Sequence, residues 1–380
     1  MSIQVFKWHF KKLNITLPFV MLQLQSISLV QFRNYVQQHF VFTQKIVCIC
    51  GLNGSGKTNL LDAIYYLGFT KSYFSRSDAQ SVHHGLFGMR LQGDFLLSNE
   101  SQTLLCIVRE NNKKEFSVND NTYKKFSEHI GRFPCVMIAP DDVALIVGGS
   151  EERRKFIDTI LSQIDKAYLQ HLIDYSKVLQ QRNSLLKQAA EQGRIDEALL
   201  QIFNDQLSVK GDWLFKQRTI FLRDFLLLTQ DFYTRIAGKD DAVAISYESD
   251  LQQAPMPQLL QNAKQKDMAL QRTTVGIHKD DLAIKMGEAS FKTEASQGQR
   301  KSLLFALKLA EWQTIKIQKG FAPILLLDDV FEKLDEQRMN NLLQWVCAEE
   351  DGQVFITDTH ACRLQQQLQA INVQFQLIEL

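Results

Sequence analysis

The sequence has few prolines and few cysteines, with six of each among 380 residues. None of the cysteines forms a CxxC pair, and no group of histidines has the spacing of metal ligands. A chain of this length can bury a large core without disulfide or metal crosslinks. Because Cys48 and Cys50 alternate within an apolar run, we interpret the cysteines as core thiols of a reduced, cytosolic protein.

An excess of one charge and a long apolar run are also missing. Lys and Arg number 43 against 42 Asp and Glu, so any contact with nucleic acid requires a local basic patch. The sequence has no stretch of ~20 apolar residues, so we predict no membrane span. At the N terminus, lysines interrupt an apolar run that is too short for a signal peptide. The length predicts two or three domains at roughly 150 residues each.

The spacing of apolar residues predicts an α/β fold that is interrupted by helices. Strand patterns begin at Met21, and residues 87–135 are typical of an antiparallel β-meander. From Ser150, a predicted N-cap, neither Gly nor Pro occurs until Gly193, and apolar residues recur every three or four positions, which predicts a long helix. Other predicted elements are helices over 195–236 and 298–318 and a loop over Ala-Pro-Met-Pro at 254–257.

A phosphate-binding loop is predicted at Gly51–Thr58, where GLNGSGKT fits the pattern G-x-x-x-x-G-K-[ST]. A short apolar run precedes the loop and a helical pattern follows it, which is the context that the motif requires. Its glycines let backbone N–H groups surround phosphates, Lys57 reaches the β- and γ-phosphates, and Thr58 binds Mg²⁺. The residues predicted to bind nucleotide here are Gly51, Asn53, Gly54, Ser55, Gly56, Lys57, Thr58 and Asn59.

Two acids form the second predicted element. The apolar run Ile324–Leu327 ends in Asp328 and Asp329. In an ATPase, Asp328 would hold Mg²⁺ and Asp329 would polarise the attacking water, so Asp329 and Lys57 are the predicted catalytic residues. Taken alone, the same pattern also fits a strand that ends in a solvated turn.

Ser296, Gln297, Gly298 and Gln299 form a third element at the start of a long predicted helix. A Ser hydroxyl, a Gly backbone and a helix N terminus can together bind an anion. The tetrapeptide is weak evidence by itself. Its position before the acidic strand matches the order of elements in ATP-binding-cassette (ABC) ATPases.

These elements together resemble the RecF family, bacterial recombinational-repair ATPases of the ABC/SMC-like group. The similar segments run in family order from about Met21 to Leu380. They are QFRNY at 31–35, GLNGSGKTNLLDAIYYLG at 51–68, APDDVALIVGGSEERRKFID at 139–158, VGIHKDDL at 275–282, SQGQRKSLLFALKLAE at 296–311 and ILLLDDVFEKLD at 324–335.

The resemblance implies an ABC-type P-loop ATPase fold, with a mixed sheet and a β-meander, interrupted by a helical insert. The implied domains are residues 21–147 and 272–380 for the ATPase and 148–271 for the insert, with residues 1–20 a non-essential extension. It further implies an ATP-closed homodimer in which Lys57 of one chain and Ser296, Gly298 and Gln299 of the other enclose each ATP. Arg33 and Asn34 would lie near the nucleotide, Leu334-Asp335 would cross the dimer interface, and Asp142 would lie near the junction of the two lobes.

The function implied by the resemblance is that of a cytoplasmic DNA-repair and replication protein connected with the SOS response. It would bind duplex DNA or single-strand/double-strand junctions without base specificity and hydrolyse ATP slowly, stimulated by DNA. RecR/RecO-type mediators are the implied protein partners. The basic residues that suggest a DNA surface are Arg153, Arg154, Lys155, Lys166, Lys177, Arg182 and Lys187 in the insert, with Lys71, Arg76 and Arg90 outside it. A run of charges is also typical of an ordinary solvated helix face.

Some positions depart from the family pattern. Asp329 replaces the Glu of transporters, which fits a switch better than a pump. Glu332 replaces a Ser before the interface loop, and Ile277 stands where Pro is frequent beside His278. His360 is a candidate sensor of the γ-phosphate, although a surface histidine is the simpler interpretation.

Two rival functions remain open from the sequence. A metabolic P-loop kinase would not need the Ser296 element and would require a lid with phosphate-binding arginines. A transporter ATPase subunit would need a membrane partner, and its signature usually begins Leu-Ser, whereas Ala295 precedes Ser296 here.

Overall fold

The computed structural model describes residues 21–238, 241–329 and 336–380. The predicted N-terminal extension, residues 1–20, and the predicted interface loop with Glu332 and Leu334-Asp335 lie outside these residues. The described part of the chain divides into two compact units. One, here called the sheet unit, comprises 21–143, 231–238, 296–329 and 336–380, and the other, the helical unit, comprises 144–230 and 241–295.

The strands of the described residues are, in chain order, β1 (Leu22–Phe32), β2 (Tyr35–Val41), β3 (Ile46–Cys50), β4 (Met89–Leu97), β5 (Glu100–Val108), β6 (Lys114–Val118), β7 (Asn121–Thr122), β8 (Cys135–Ile138), β9 (Val243–Glu248), β10 (Asp281–Met286), β11 (Ala289–Ser290), β12 (Ile324–Leu327), β13 (Val354–Asp358) and β14 (Phe375–Glu379). The α-helices are α1 (Lys57–Phe69), α2 (Ala144–Val147), α3 (Ser150–Ile164), α4 (Lys166–Gln192), α5 (Glu197–Ala237), α6 (Met256–Leu270), α7 (Phe291–Glu294), α8 (Gln297–Lys319), α9 (Glu336–Leu343) and α10 (Ala361–Ala370). A π-helical turn, Gln344–Glu349, follows α9.

The sheet unit contains two sheets with α1 between them. The first is antiparallel in the order β2-β1-β4-β5-β6-β7, and the second is parallel in the order β14-β3-β13-β12-β8. Helix α1 contacts strands of both sheets, and eleven of its thirteen residues are buried. Strands β3, β8, β12 and β13 are buried at every position, as expected for a parallel sheet covered on both faces.

The helical unit is built from α3, α4, α5 and α6 with a three-stranded sheet in the order β11-β10-β9. Two fully buried arginines cross-link its segments. Arg218 bonds to Asp158, Asp280 and the Ile277 carbonyl at 2.7–2.8 Å. Arg182 pairs with Asp267 at 2.7 Å, and both side chains are inaccessible to solvent. Buried charges of this kind require such partners because removal from water is costly.

The predicted fold class is confirmed, since a P-loop α/β unit, an antiparallel meander and a helical insertion are all present. The parallel and antiparallel strands lie in separate sheets rather than in one mixed sheet. The compact helical unit runs from Ala144 to Ala295, apart from residues 231–240, whereas the sequence suggested an insert over 148–271. The difference arises because β10 pairs with β9 of the helical unit.

Three local predictions were wrong. The helix expected from Ser150 to Gly193 is broken at Asp165, whose carboxylate caps α4 by accepting from the Ala167 N–H at 2.7 Å. The N-cap of α3 is Gly149, and Ser150 is already helical. The loop predicted at residues 254–257 is too long, because α6 already begins at Met256: Pro255 is its N-cap, and Pro257 lies in the first turn, where proline's missing N–H costs nothing.

Among the helices of the described residues, none is both long and apolar enough to cross a membrane.

Candidate nucleotide-binding site

The predicted phosphate-binding loop joins β3 to α1 in the sheet unit. Gly54 and Gly56 have φ angles of 83° and 117°, a region that disfavours residues with a Cβ. A Cβ on Gly56 would lie 2.7 Å from both the Asn34 Nδ2 and the Tyr35 hydroxyl oxygen. These glycines therefore allow the loop to turn while lying directly against the start of β2.

The loop presents hydrogen-bond donors that suit an anion. The Lys57 side chain is 4% exposed, and its ammonium donates to the carbonyl oxygens of Gly51 and Leu52 at 2.9 and 3.2 Å. The hydroxyl of Ser55 is buried and has no hydrogen-bond partner among the described residues. Gly56 caps α1 without a side-chain acceptor for the first N–H groups of the helix. A phosphate chain fits this set of a cation, an unpartnered hydroxyl and helix N–H groups.

Thr58 and Asp328 meet at the end of β12, as the predicted metal site requires. The Thr58 hydroxyl lies 2.9 Å from both carboxylate oxygens of Asp328. Asp328 is 3% exposed, and this burial raises its pKa to about 6. Hydroxyl and carboxylate oxygens are the hard ligands that Mg²⁺ takes alongside water and phosphate. The donor set thus fits Mg²⁺.

Thr357, at the end of β13, links the two acids and was missed by the sequence analysis. Its hydroxyl accepts from the Asp329 N–H at 2.8 Å and donates to Asp328 Oδ1 at 3.0 Å. The side chain is completely buried. Asp329 itself has a φ of 44°, a left-handed conformation that is unfavourable for a non-glycine residue. Strand β13 lies between β3 and β12, and only this strand order reveals the role of Thr357.

Arg33 and Asn34, the two residues predicted near the nucleotide, form the turn between β1 and β2, and one of them contacts the loop. Asn34 donates to the Ser55 carbonyl at 3.1 Å and accepts from Asn59 at 2.8 Å. Arg33 instead pairs with Asp62 of α1 at 2.9 Å. The Asn53 side chain is exposed. The predicted residues of the loop are therefore brought together, with Arg33 bound to the helix that follows.

The predicted Ser296 element forms a complete capping box at the start of α8. Ser296 Oγ accepts from the Gln299 N–H at 3.2 Å, and Gln299 Oε1 accepts from the Ser296 N–H at 2.9 Å. Both residues are exposed or nearly so. A Cβ on Gly298 would lie 2.3 Å from Arg338 Nη1, so the guanidinium lies directly over the helix start and would have to shift if the residue were larger than glycine. The first turn of α8 is thus rigid, accessible and close to a cation.

Asp142 belongs to a buried charged cluster with α8. It accepts from the Tyr73 hydroxyl and lies 3.6 Å from Lys308, which is 3.7 Å from Glu311. Burial raises the pKa of Glu311 to about 7, against the opposing effect of Lys308.

The two histidines singled out in the sequence differ in their surroundings. His360 is exposed, and its backbone N–H donates to Asp358 at 2.8 Å. His278 lies in the helical unit, where it contacts the Tyr175 hydroxyl at 2.8 Å, and burial lowers its pKa to about 4. It is a core histidine.

The predicted basic surface of the insert is partly wrong. Arg182 is inaccessible to solvent, and Arg153 forms a two-point ion pair with Asp281 at 2.6 and 2.9 Å. Lys155 pairs with Glu151 and Glu152. Lys166, Lys177 and Lys187 are exposed, as are Lys71, Arg76 and Arg90 of the sheet unit. Arg182 and Arg153, two of the ten predicted basic surface residues, are therefore held in internal ion pairs. The sequence pattern could not show these pairs, because the partners lie 85 and 128 positions away.

The chain was compared with known families and proteins. The family described as RecF/RecN/SMC N terminal domain matches residues 23–377. The "DNA replication and repair protein RecF" of Flavobacterium johnsoniae is 42% identical over 89% of this chain and 94% of its own length. That of Bacteroides thetaiotaomicron is 38% identical over 93% of this chain and 95% of its own.

Comparison with solved structures gives the same result as the sequence matches. The structure of "the recombination mediator protein RecF-ATP in RecFOR pathway" superimposes with a TM-score of 0.83 at 30% identity, covering 90% of this chain and 93% of that one. An Smc head domain from Pyrococcus furiosus, at 15% identity and a TM-score of 0.53, shares the fold. These comparisons support the RecF interpretation over the transporter alternative. The chain belongs to the RecF family of DNA replication and repair proteins, an ATP-binding ATPase family.

Proposed function

We propose that the chain is an ATP-dependent DNA-binding switch. ATP closes a homodimer around duplex DNA or a single-strand/double-strand junction, and slow hydrolysis releases it. The observation that carries the proposal is the contact between Thr58 and Asp328 at 2.9 Å beside the Lys57 loop. That geometry is the one in which a P-loop ATPase binds a metal-nucleotide complex.

The residues of the loop divide the work of binding. Lys57, the unpartnered Ser55 hydroxyl and the N terminus of α1 would hold the phosphates. Thr58 and Asp328 would hold Mg²⁺, and Asp329 would orient the attacking water with its carboxylate. When bound, the metal would neutralise negative charge on the phosphates. Asp is one methylene shorter than Glu, so water activation is expected to be slow, which suits a switch.

The second half of each nucleotide site would come from the partner protomer. Ser296 is exposed at the start of α8, and within the described residues its hydroxyl accepts one hydrogen bond, which leaves its proton to donate to a phosphate. Ser296, Gly298 and Gln299 of one protomer would thus complete the ATP that Lys57 of the other holds. Hydrolysis would then be coupled to dimer opening.

The cellular setting is proposed from the family. The related solved structure is named for the RecFOR pathway, so RecR- and RecO-type mediators are the proposed partners. DNA contacts would go to phosphates and carry no sequence information. Five free, buried cysteines among the described residues suit a reducing cytoplasm. Residues 1–20 are proposed to be dispensable for all of these activities.

One set of measurements tests the proposal. ATP turnover is measured with Mg²⁺, with and without duplex DNA, and the oligomeric state is followed by sedimentation. We expect DNA to stimulate turnover and ATP to produce a dimer that retains DNA. Asp329→Asn should keep ATP binding, block hydrolysis and trap the dimer on DNA, because Asn keeps the shape but lacks the charge. Turnover indifferent to DNA, with a monomer throughout, would point to a kinase instead.

A further inference from the structure

Four basic side chains converge on one part of the helical unit, although they come from separate segments. Arg154 lies on α3, Lys266 on α6, Arg272 just after α6, and Lys279 in the turn before β10. Desolvation lowers the pKa of Lys279, repulsion from Arg272, Arg154 and Lys266 lowers it further, and attraction to Asp267 opposes these effects. The four residues are here called the Lys279 cluster.

Backbone contacts explain why these segments meet. The His278 ring contacts the Thr273 carbonyl at 3.1 Å, so Lys279 and Arg272 flank two residues that touch. The guanidinium of Arg154 donates to the Asp280 carbonyl at 2.7 Å, directly beside Lys279. The proximity of Arg154, Arg272 and Lys279 is therefore fixed by hydrogen bonds within the unit.

No direct ion pair neutralises the Lys279 cluster within the described residues, and the one acid that attracts Lys279 is the buried Asp267. Lys266, Arg272 and Lys279 are exposed, and no ion pair joins them to an acid in the part of the chain that the structure describes. The acid nearest in sequence, Asp267, is buried against Arg182 and accepts from Thr274.

Other lysines of the unit differ in this respect. Lys155 and Lys264, for example, each pair with a glutamate. Clustered like charges without partners are unfavourable unless an anion binds between them.

We propose that the Lys279 cluster binds consecutive phosphate groups of duplex DNA. This inference rests on the proposed DNA-binding function and adds the residues that carry it out in the helical unit. Arg272 and Lys279 are absent from the basic residues that the sequence pattern suggested. Lysine and arginine heads on separate segments can follow a phosphate backbone, and such contacts give affinity that falls with salt and is independent of base sequence.

The test compares two triple variants with equal loss of charge. Lys266→Gln/Arg272→Gln/Lys279→Gln neutralises the cluster. Arg194→Gln/Lys216→Gln/Lys285→Gln neutralises one arginine and two lysines that are exposed elsewhere in the helical unit, and it serves as the matched control. Binding of a labelled duplex is measured with ATP and Mg²⁺ over a series of NaCl concentrations. The cluster variant should lose affinity about tenfold or more, and its slope of log K against log salt should shrink by about 2 to 3, whereas the control stays near the parent.

The remaining outcomes separate the site from the function. Both variants should bind ATP as the parent does, because none of the six residues belongs to the nucleotide site. If the parent binds duplex and the cluster variant matches it, or if both variants weaken equally, the site assignment is wrong while the proposed function stands. If the parent itself does not bind duplex with ATP, the proposed function fails as well. A polyglutamate peptide that binds the parent but not the cluster variant, with duplex affinity unchanged, would overturn the DNA assignment in favour of an acidic protein.

Discussion

Thr357 accepts a hydrogen bond from the backbone N–H of Asp329 at 2.8 Å and so fixes the residue proposed to orient the attacking water. Asp329 has a φ of 44°, a conformation that costs a non-glycine residue roughly 1–2 kcal/mol. The same Thr357 hydroxyl donates to Asp328, the proposed metal ligand. One buried side chain on the middle strand therefore sets the geometry of both acids.

We expect Thr357→Val to lower kcat for ATP hydrolysis by roughly 10- to 100-fold, the worth of a hydrogen bond to a charged group. Valine has nearly the same shape but cannot accept or donate. ATP affinity should change little, because the Lys57 loop is untouched. Thr357→Ser, which keeps the hydroxyl, should restore most of the rate in steady-state assays. Equal rates for the Val and Ser variants would show that Thr357 acts only through packing.

Lys57→Ala is expected to remove tight ATP binding, with affinity falling roughly 100-fold, because the ammonium provides a charge-assisted contact to phosphate. The protein should remain folded, since Lys57 bonds only to carbonyls of its own loop. Titration with a fluorescent ATP analogue measures the loss. Lys113→Ala, at a side chain 67% exposed, serves as the control and should bind like the parent. Parent-like affinity of Lys57→Ala would refute the assignment of the loop.

Ser296→Arg should prevent ATP-driven dimerisation and hydrolysis while leaving ATP binding by the monomer nearly intact. A bulky side chain at the exposed start of α8 would obstruct the partner protomer. The substitution also removes the N-cap, at a cost of about 1 kcal/mol. Ser296→Gly controls for that loss, since glycine caps almost as well, and it should dimerise better than the Arg variant. Sedimentation with ATP and Mg²⁺ decides, and a normal dimer of Ser296→Arg would rule out a trans role for Ser296.

Arg182→Ala is expected to destabilise the helical unit by about 3–5 kcal/mol, because Asp267 would remain buried as an unpaired charge. Urea unfolding followed by circular dichroism measures this change. Lys177→Ala, on the exposed side of the same helix, should change the stability by less than about 0.5 kcal/mol. A mild effect of Arg182→Ala together with weakened DNA binding would restore the surface role predicted from the sequence.

Glu311 should make the stability of the sheet unit depend on pH. Its pKa is about 7 in the folded protein, above its ordinary 4.5, because burial of the carboxyl raises it, with a smaller contribution from the charge of Asp142, and together these outweigh the opposing effect of Lys308. Folding thus favours the protonated form, and the stabilisation is present below pH 4.5 and is lost as the pH rises to 7. Between pH 5 and 8 the parent should lose stability relative to Glu311→Gln. Parallel pH profiles for the two proteins would show that Glu311 does not titrate in this range.

The grouping of the candidate site residues could be predicted from the sequence because each motif carries its own context. Thr58 and Asp328 are 270 positions apart, yet the rule that a phosphate-binding loop requires an acidic strand brought them together correctly. Thr357 could not be found in this way. A threonine at the end of an apolar strand has no special pattern, and its role depends on which strands are neighbours.

Charge patterns were a weaker guide. Arg182 and Arg153 look like members of a basic helix face, but their partners Asp267 and Asp281 come from distant segments that periodicity cannot locate. By contrast, the break between α3 and α4 had a local signal. Asp165 stands immediately before the start of α4, and Asp is among the best N-cap residues.

The order of the parallel sheet has a consequence for how the protein is made. Strand β3 pairs with β13 and β14, whose residues are translated about 300 positions after it. At roughly 5–20 residues per second, the ribosome needs roughly 15–60 s to supply them. The helical unit, by contrast, is complete once Ala295 has emerged. A nascent chain therefore carries a finished helical unit and an unpaired, wholly apolar β3 at the same time, and the nucleotide site is among the last features to form.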